Sequence, residues 1–267
     1  MTGTVYLVGA GPGAADLLTL RAARLLARAD IVFYDALISD EVLLLSGNSI
    51  KIKVGKRSGR HSTAQHFINK QLADAARKHE VVVRLKGGDP MLFGRAHEEI
   101  SFLKKHEIKV EVIPGITAAL AASAEMGVSL TRRGLARSVA FVTPRVGKGE
   151  RQSNWVSAAL HADTAAIYMG AGEAAAIARA LMDAGKPPST PVAVIENASL
   201  PGASGHFGTL ERLEEIAARG SGGPSLILLG ENYRDSVIIA AWRQEQPSSS
   251  PTAHATRTGR ARSGSSR

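Results

Sequence analysis

Along the chain, short runs of consecutive apolar residues alternate with longer stretches in which apolar residues recur every three or four positions. Thr4–Val8, Ile31–Tyr34, Ile50–Val54, Val81–Leu85 and Val110–Ile113 are the runs of the first half. Leu18, Ala22, Leu25, Leu26 and Ala29 fall on one face of a helix, and helical patterning returns near 62–78 and 93–105. Strands that are apolar throughout, separated by helices, predict an α/β fold with a mostly parallel sheet covered on both faces. The pattern then restarts. Ser138–Thr143, Thr164–Tyr168, Pro191–Glu196 and Ser225–Leu229 read as strands, with helical stretches near 173–184 and 209–219. Between the two sets lie Pro114–Thr117 and the Ala-rich stretch Ala118–Ala124, which place a domain boundary there: an α/β domain over 1–114 and a second over 115–245. No sequence repeat relates the halves. Two such domains form a cleft, and clefts between domains are where ligands bind.

Composition narrows the chemistry. With 267 residues and 44% apolar side chains, the chain is large enough for a core in each half. The absence of cysteine excludes disulfides, thiol nucleophiles, zinc–thiolate sites and Cys-ligated iron–sulfur clusters. The eight histidines are scattered, no HExxH occurs, and no metal is expected. A net charge of +9 points to an anionic partner: nucleic acid, a membrane surface or a polyanionic small molecule. That charge is unevenly placed. Pro247 to Arg267 holds four arginines, no acid and almost no large apolar side chain, so a disordered basic tail is expected over 246–267. Without those arginines, 29 basic residues face 24 acidic ones. No stretch approaches the roughly 18 apolar residues of a membrane span. The N-terminus runs directly into TVYLVGAGPG, so the expected location is cytoplasmic, with no membrane and no nucleic-acid partner.

Several loops carry candidate chemistry. Gly9-Ala10-Gly11-Pro12-Gly13 follows a strand and precedes a helix, where glycine allows a sharp turn and close approach of backbone to a ligand. Gly9, Gly11 and Ala14 satisfy the dinucleotide fingerprint, and Asp35 stands where a ribose-binding acid would follow. Alone, this fits a nicotinamide or flavin enzyme, another nucleotide-like cofactor, or a plain tight turn. Lys86-Gly87-Gly88-Asp89-Pro90 ends the next central strand, as either a ligand loop or an ordinary Asp-capped turn. Arg95 and Glu98, three apart, share a helix face. Pro114-Gly115-Ile116-Thr117, Tyr168-Met169-Gly170 and the basic loop Gly55-Lys56-Arg57 complete the set.

In this order the segments resemble the tetrapyrrole methylases, and within them the members that act on uroporphyrinogen III. The matching stretches are VGAGPG (8–13), LLTLRAARLLARADIVFYDAL (17–37), VGKRSGRHS (54–62), VVRLKGGDPMLFGR (82–95), VIPGITAA (112–119), LTRRGLARSVAFVT (130–143), YMG (168–170), TPVAVIENAS (190–199) and GTL (208–210), together spanning about 3–245. The resemblance implies a two-domain α/β fold with the active-site cleft between the domains, a homodimer, and S-adenosylmethionine as cofactor, released as S-adenosylhomocysteine. It implies methylation of uroporphyrinogen III at C2 and C7, giving precorrin-2 by way of precorrin-1, on the branch to sirohaem, cobalamin or haem d1. It puts cofactor contacts on Pro12, Gly87, Gly88, Asp89, Leu92, Thr117, Ala118, Met169 and Ala198, base and acid positions on Asp35 and Lys56, and macrocycle-facing residues on Arg95 and Glu98. A methylase of a later precorrin and, on the first motif alone, a nicotinamide oxidoreductase are the alternatives. The chain departs from the family pattern at Ala198 (usually Gly), at Ala96 and His97 (usually two glycines), and at Pro144-Arg145 (usually Gly-His).

These residue types suit the implied chemistry. The methyl donor carries its own activated group, so no covalent nucleophile is needed and a chain without cysteine is no handicap. What remains is to align carbon and methyl, and to take a proton from the macrocycle afterwards. Asp35, then Glu98, are the candidate bases, with Arg95 an electrostatic clamp. Lys56, Arg57, Arg95, Arg132 and Arg133 are candidate partners for the carboxylate arms of the substrate, Arg132 and Arg133 being equally suited to simple solvation.

Overall fold

The computed structural model describes residues 2–54, 62–147, 151 and 153–237. In the first half, β1 (Thr4–Gly9), β2 (Ile31–Tyr34), β3 (Ile50–Lys53), β4 (Val81–Lys86) and β5 (Lys109–Ile113) form one sheet in the order β3-β2-β4-β1-β5. Every pairing in it is parallel. Both faces of the central strands are covered, which is why β1 and β2 read as unbroken apolar runs, whereas the edge strand β3, IKIK, alternates and is largely exposed. Consecutive residues go to opposite cores: Leu7 and Phe33 pack with Leu72 and Leu103 from α3 (Ser62–Ala76) and α4 (Ala96–Lys105). Val8 and Val32 pack with Leu25, Leu26 and Val42 from α1 (Leu20–Leu26) and α2 (Asp40–Leu44). The crossovers that leave β1 and β4 therefore lie on opposite faces, and the gap between those two neighbours is the topological switch point, where open α/β sheets bind ligands.

The second half is built differently. Its sheet runs β6-β7-β10-β8-β9, from β6 (Val139–Val142), β7 (Thr164–Tyr168), β8 (Pro191–Glu196), β9 (Ser204–Thr209) and β10 (Ser225–Gly230). Only β6 and β7 are parallel; β7–β10, β10–β8 and β8–β9 are antiparallel. α5 (Ala118–Met126) lays Ala119 and Ala122 on one face. α6 (Trp155–His161), α7 (Ala174–Asp183) and α8 (Leu213–Ala217) border the core on the other. The apolar pattern located four of these strands but neither β9 nor the antiparallel pairing. All six residues of β8 are buried, so the alternation that marks an antiparallel strand is absent. The edge strand β9, SGHFGT, has too few apolar residues to register as a run.

No helix among the described residues is long and apolar enough to cross a membrane. The tail expected over 246–267 lies outside the described residues.

Tyr233 is fully buried against the core under α5, and burial pushes its hydroxyl pKa up. The hydroxyl has no hydrogen-bond partner among the described residues. A buried hydroxyl without a partner opposes folding, so Tyr233→Phe is expected to leave stability unchanged or raise it by about 1 kcal/mol. Urea denaturation checks this; a loss of about 1 kcal/mol or more would contradict it.

Candidate active site

Three glycine-bearing loops leave the carboxyl ends of β1, β4 and β5, and their backbones touch. Gly88 N donates to Gly11 O at 2.7 Å and Gly11 N donates to Gly88 O at 3.2 Å. Gly9 lies against Gly115 so closely that a Cβ built on Gly9 would stand 2.6 Å from the Gly115 Cα. No side chain fits between them. Asp89 braces the same junction: its carboxylate accepts from Met91 N at 2.8 Å and from Gly115 N at 2.9 Å. Leu92 N donates to Asp89 O at 3.3 Å, closing the turn. Gly87 differs from its neighbours, since a Cβ there would meet nothing within 4 Å. The loop thus presents bare backbone to open space at Gly87, directly beside the locked Gly88.

The second half closes on these loops at two points, around Tyr168 and around Ser199. The Tyr168 hydroxyl, at the end of β7, is fixed within its own half, 2.7 Å from Thr117 Oγ1 and accepting from Ala119 N at 3.2 Å. Burial pushes the Tyr168 pKa up, so the group stays a neutral hydroxyl. Its ring packs 5.1 Å from that of Phe93. At the other point, Ala14 N donates to Ser199 Oγ at 3.2 Å, and a Cβ on Gly13 would stand 2.6 Å from the Leu200 side chain. Gly88, Asp89, Leu92 and Thr117 take part in these contacts, while Pro12, Gly87, Ala118, Met169 and Ala198 are chain neighbours of residues that do. Of the non-glycine residues with positive φ, Phe93, Arg95, Met169, Asn197 and Ser199 belong to these loops; Glu107 is elsewhere. Such backbone strain gathers where a site over-determines its loops.

The polar groups divide into an inner and an outer pair. Asp35, just past β2, accepts from Arg84 Nη2 at 2.5 Å and is 32% exposed at its side chain. Arg84 Nε donates to Glu99 Oε1 at 3.1 Å, and Lys86 Nζ donates to both Glu99 oxygens at 3.1 Å. Glu99 is fully buried and also accepts from Gln65 Nε2 at 3.1 Å. Burial pulls the Lys86 pKa down, helped by the neighbouring Arg84 charge, while Asp35 and Glu99 outweigh burial at Arg84 and hold its pKa up. On the outer side, Arg95 grips Glu98 with two bonds, at 2.6 Å from Nε and 2.7 Å from Nη2, both side chains exposed.

Asp35 therefore does not stand free at a ribose position: it is the outer end of a buried charge chain. Lys56, Gly55, Arg57 and His61 lie outside the described residues. Arg132 sits on an exposed turn bridged to Ala136 and pairs with Asp235 at 3.6 Å. Among the departures, the Ala96 methyl is buried in the core beneath α4, which explains why it is accommodated. Sequence reasoning passed over Arg84, Glu99 and Ser199, and named Lys86 and Tyr168 only as members of their motifs, with no role of their own. The signal for Arg84 and Lys86 was present: a buried strand that reads VVVRLK carries two cations two residues apart, hence on one face. Among the described residues no group of three or more His, Asp or Glu is placed to hold a metal.

The family described as Tetrapyrrole (Corrin/Porphyrin) Methylases matches residues 4–214. A siroheme synthase of Psychrobacter sp. (strain PRwf-1) is 42% identical over 258 residues, covering 95% of this chain and 52% of that protein. The chain thus spans about half the length of the curated relatives it matches. Uroporphyrin-III C-methyl transferase from Thermus thermophilus, solved with S-adenyl homocysteine, is 41% identical at a TM-score of 0.76, covering 87% of this chain and 94% of that one. A cobalt precorrin-4 methyltransferase of cobalamin biosynthesis has the same TM-score at 27% identity, covering 86% and 95%.

The backbone contacts generate a contrast between neighbouring glycines. Gly115→Ala drives a methyl into the Gly88 carbonyl and the Gly9 backbone and is expected to cost about 1–3 kcal/mol. Gly87→Ala is expected to stay within about 0.5 kcal/mol of the parent. Denaturant titration of both variants measures the difference; equal stabilities would show that the loops do not depend on this approach.

Proposed function

Because this chain belongs to the tetrapyrrole methylases, we propose that it methylates uroporphyrinogen III at C2 and C7, giving precorrin-2 by way of precorrin-1. It is a methyltransferase that uses S-adenosylmethionine. The observation that carries the reading is the junction of the three glycine loops, open at Gly87, and Met169 and Ala198, the chain neighbours of Tyr168 and Ser199, are proposed to face it from the other half. Bare amides and carbonyls at Gly87, with Thr117 and Ala118 at the start of α5, suit the polar ends of an adenosyl amino acid. The partly exposed Met169 side chain supplies an apolar surface. Bound there, the cofactor supplies an electrophilic methyl on a sulfonium. The identity of 41% to the uroporphyrin-III enzyme, against 27% to the precorrin-4 enzyme, supports the first substrate over a later precorrin.

The residues divide the remaining tasks. The pyrrole carbon forms its bond to the methyl, the broken carbon–sulfur bond leaves its electron pair on sulfur, and the macrocycle then sheds a proton. Asp35 takes that proton: its carboxylate is partly exposed at the end of β2, yet fixed by Arg84. Arg95, held in a left-handed backbone conformation and paired with Glu98, trades that exposed partner for a carboxylate arm of the substrate. Lys56 remains the proposed acid. The product feeds sirohaem, cobalamin or haem d1, and the protein acts as a cytoplasmic homodimer of a domain over 1–114 and a domain over 115–245. The proposal is confined to methyl transfer, since the longer relatives contain as much chain again.

Incubation with uroporphyrinogen III and methyl-labelled S-adenosylmethionine is expected to put two labels on the tetrapyrrole; no label in that product would overturn the reading. A side chain at Gly87 should fill the cofactor's place without disturbing the fold. Gly87→Leu is therefore expected to weaken S-adenosylhomocysteine binding at least tenfold, about 1.4 kcal/mol, with the unfolding midpoint unchanged. Calorimetry with the parent affinity retained would remove Gly87 from the cofactor site.

A further inference from the structure

Behind Asp35 lies a buried group of charges, Arg84, Glu99 and Lys86, to which the proposed reaction gives no direct part. Glu99 faces inward from α4, one residue after Glu98 faces outward to Arg95. Its carboxylate is fully buried and gathers Lys86 Nζ, Arg84 Nε and Gln65 Nε2, while Gln65 also donates to Asn69 Oδ1 at 3.0 Å. A lone buried carboxylate would be costly, and so would two lone buried cations; here they compensate one another. The balance is not complete within the core. Arg84 and Lys86 carry two positive charges and Glu99 one negative, so the buried group needs one more anion. That anion is Asp35, at the solvent end, held by Arg84 Nη2.

The geometry also fixes direction. A guanidinium is a rigid planar fork, so anchoring its Nε to Glu99 decides where Nη2 points. Arg84 has a further tie, from Nη1 to Leu85 O at 3.0 Å, and cannot swing. At the other end of the group, the Lys86 stem underlies the loop before Arg95: a Cβ on Gly94 would meet Lys86 Cε at 3.2 Å. The buried charges therefore touch the supports of both groups proposed to meet the substrate.

We infer that Glu99, with Lys86, is a positioning residue that aims the Arg84 fork and thereby holds the Asp35 carboxylate in place for its proton. The inference rests on the proposed methyl transfer and on Asp35 as its base. Supports of this kind, one layer behind the reacting groups, set how closely a catalytic group keeps its productive geometry.

The test is a double-mutant cycle in the full chain, with turnover of labelled methyl and S-adenosylhomocysteine affinity measured for each variant. Glu99→Gln keeps the shape but removes the charge. It is expected to lower kcat at least tenfold and to leave S-adenosylhomocysteine affinity within about threefold. Asp35→Glu keeps a carboxylate but displaces it by one methylene. In that background Glu99→Gln is expected to cost less than about threefold, because the carboxylate it aims has already moved. The same factor in both backgrounds, or an equal fall in cofactor affinity, would show a general structural role and overturn the inference. If Glu99→Gln unfolds at assay temperature, Lys86→Met replaces it in the cycle with the same two criteria. A parent protein that transfers no label overturns the proposed function and this inference together, whereas an active parent with multiplicative losses overturns the inference alone.

Discussion

The site depends on a contact between backbones. Gly9, Gly88 and Gly115 come from the ends of three neighbouring strands, and the backbones approach so closely that neither Gly9 nor Gly115 has room for a methyl group. The parallel sheet makes this possible, since it delivers all three strand ends to one edge. Glycine makes it favourable, since only hydrogen occupies the space between the chains. The paired hydrogen bonds of Gly11 and Gly88 and the carboxylate of Asp89 then hold the loops in register. Everything presented to a ligand, from the open backbone at Gly87 to the start of α5 at Ala118, is positioned from that junction.

The first half was largely legible in the sequence, and for a physical reason. A sheet covered on both faces needs apolar residues at every strand position, and the loops at its switch point need glycines; both leave plain patterns. The second half was less so. The edge strand β9 carries two glycines and little apolar character, and β8 is buried on both faces, so neither announces an antiparallel arrangement. Within the site, sequence reasoning gave Asp35 a base position but not its partner, since the Arg84 that holds it is 49 positions away. Ser199 was not singled out and Tyr168 was named only within its motif, because a contact between the halves has no local signature: Ala14 and Ser199 are 185 positions apart, and the Tyr168 ring meets Phe93 of the other half.

The charges show how one sheet serves two purposes. β4 is a central strand of the first core and also the carrier of Arg84 and Lys86, which an apolar strand would not tolerate singly. The burial of Glu99 from α4 resolves that conflict, and the cost of the arrangement is that the helix, the strand and the loop after β2 must be correct together. A basic chain thus uses part of its positive charge internally; a net charge alone did not separate these cations from those on the surface.

The Gly9–Gly88–Gly115 junction also shapes how such a scaffold can be re-engineered. Because the loops meet through main-chain atoms, with the Asp89 side chain bracing them, their relative placement is sensitive above all to size at Gly9 and Gly115. Variation aimed at Gly9 and Gly115 is wasted, since a Cβ at either runs into neighbouring backbone, while Gly88 is held to glycine by its positive φ. Positions 97 and 198, with His97 exposed on α4 and Ala198 partly buried, lie outside that locked junction. Libraries seeking a changed tetrapyrrole preference belong at those positions, where this chain already carries residues unlike the family's usual glycines at 97 and 198.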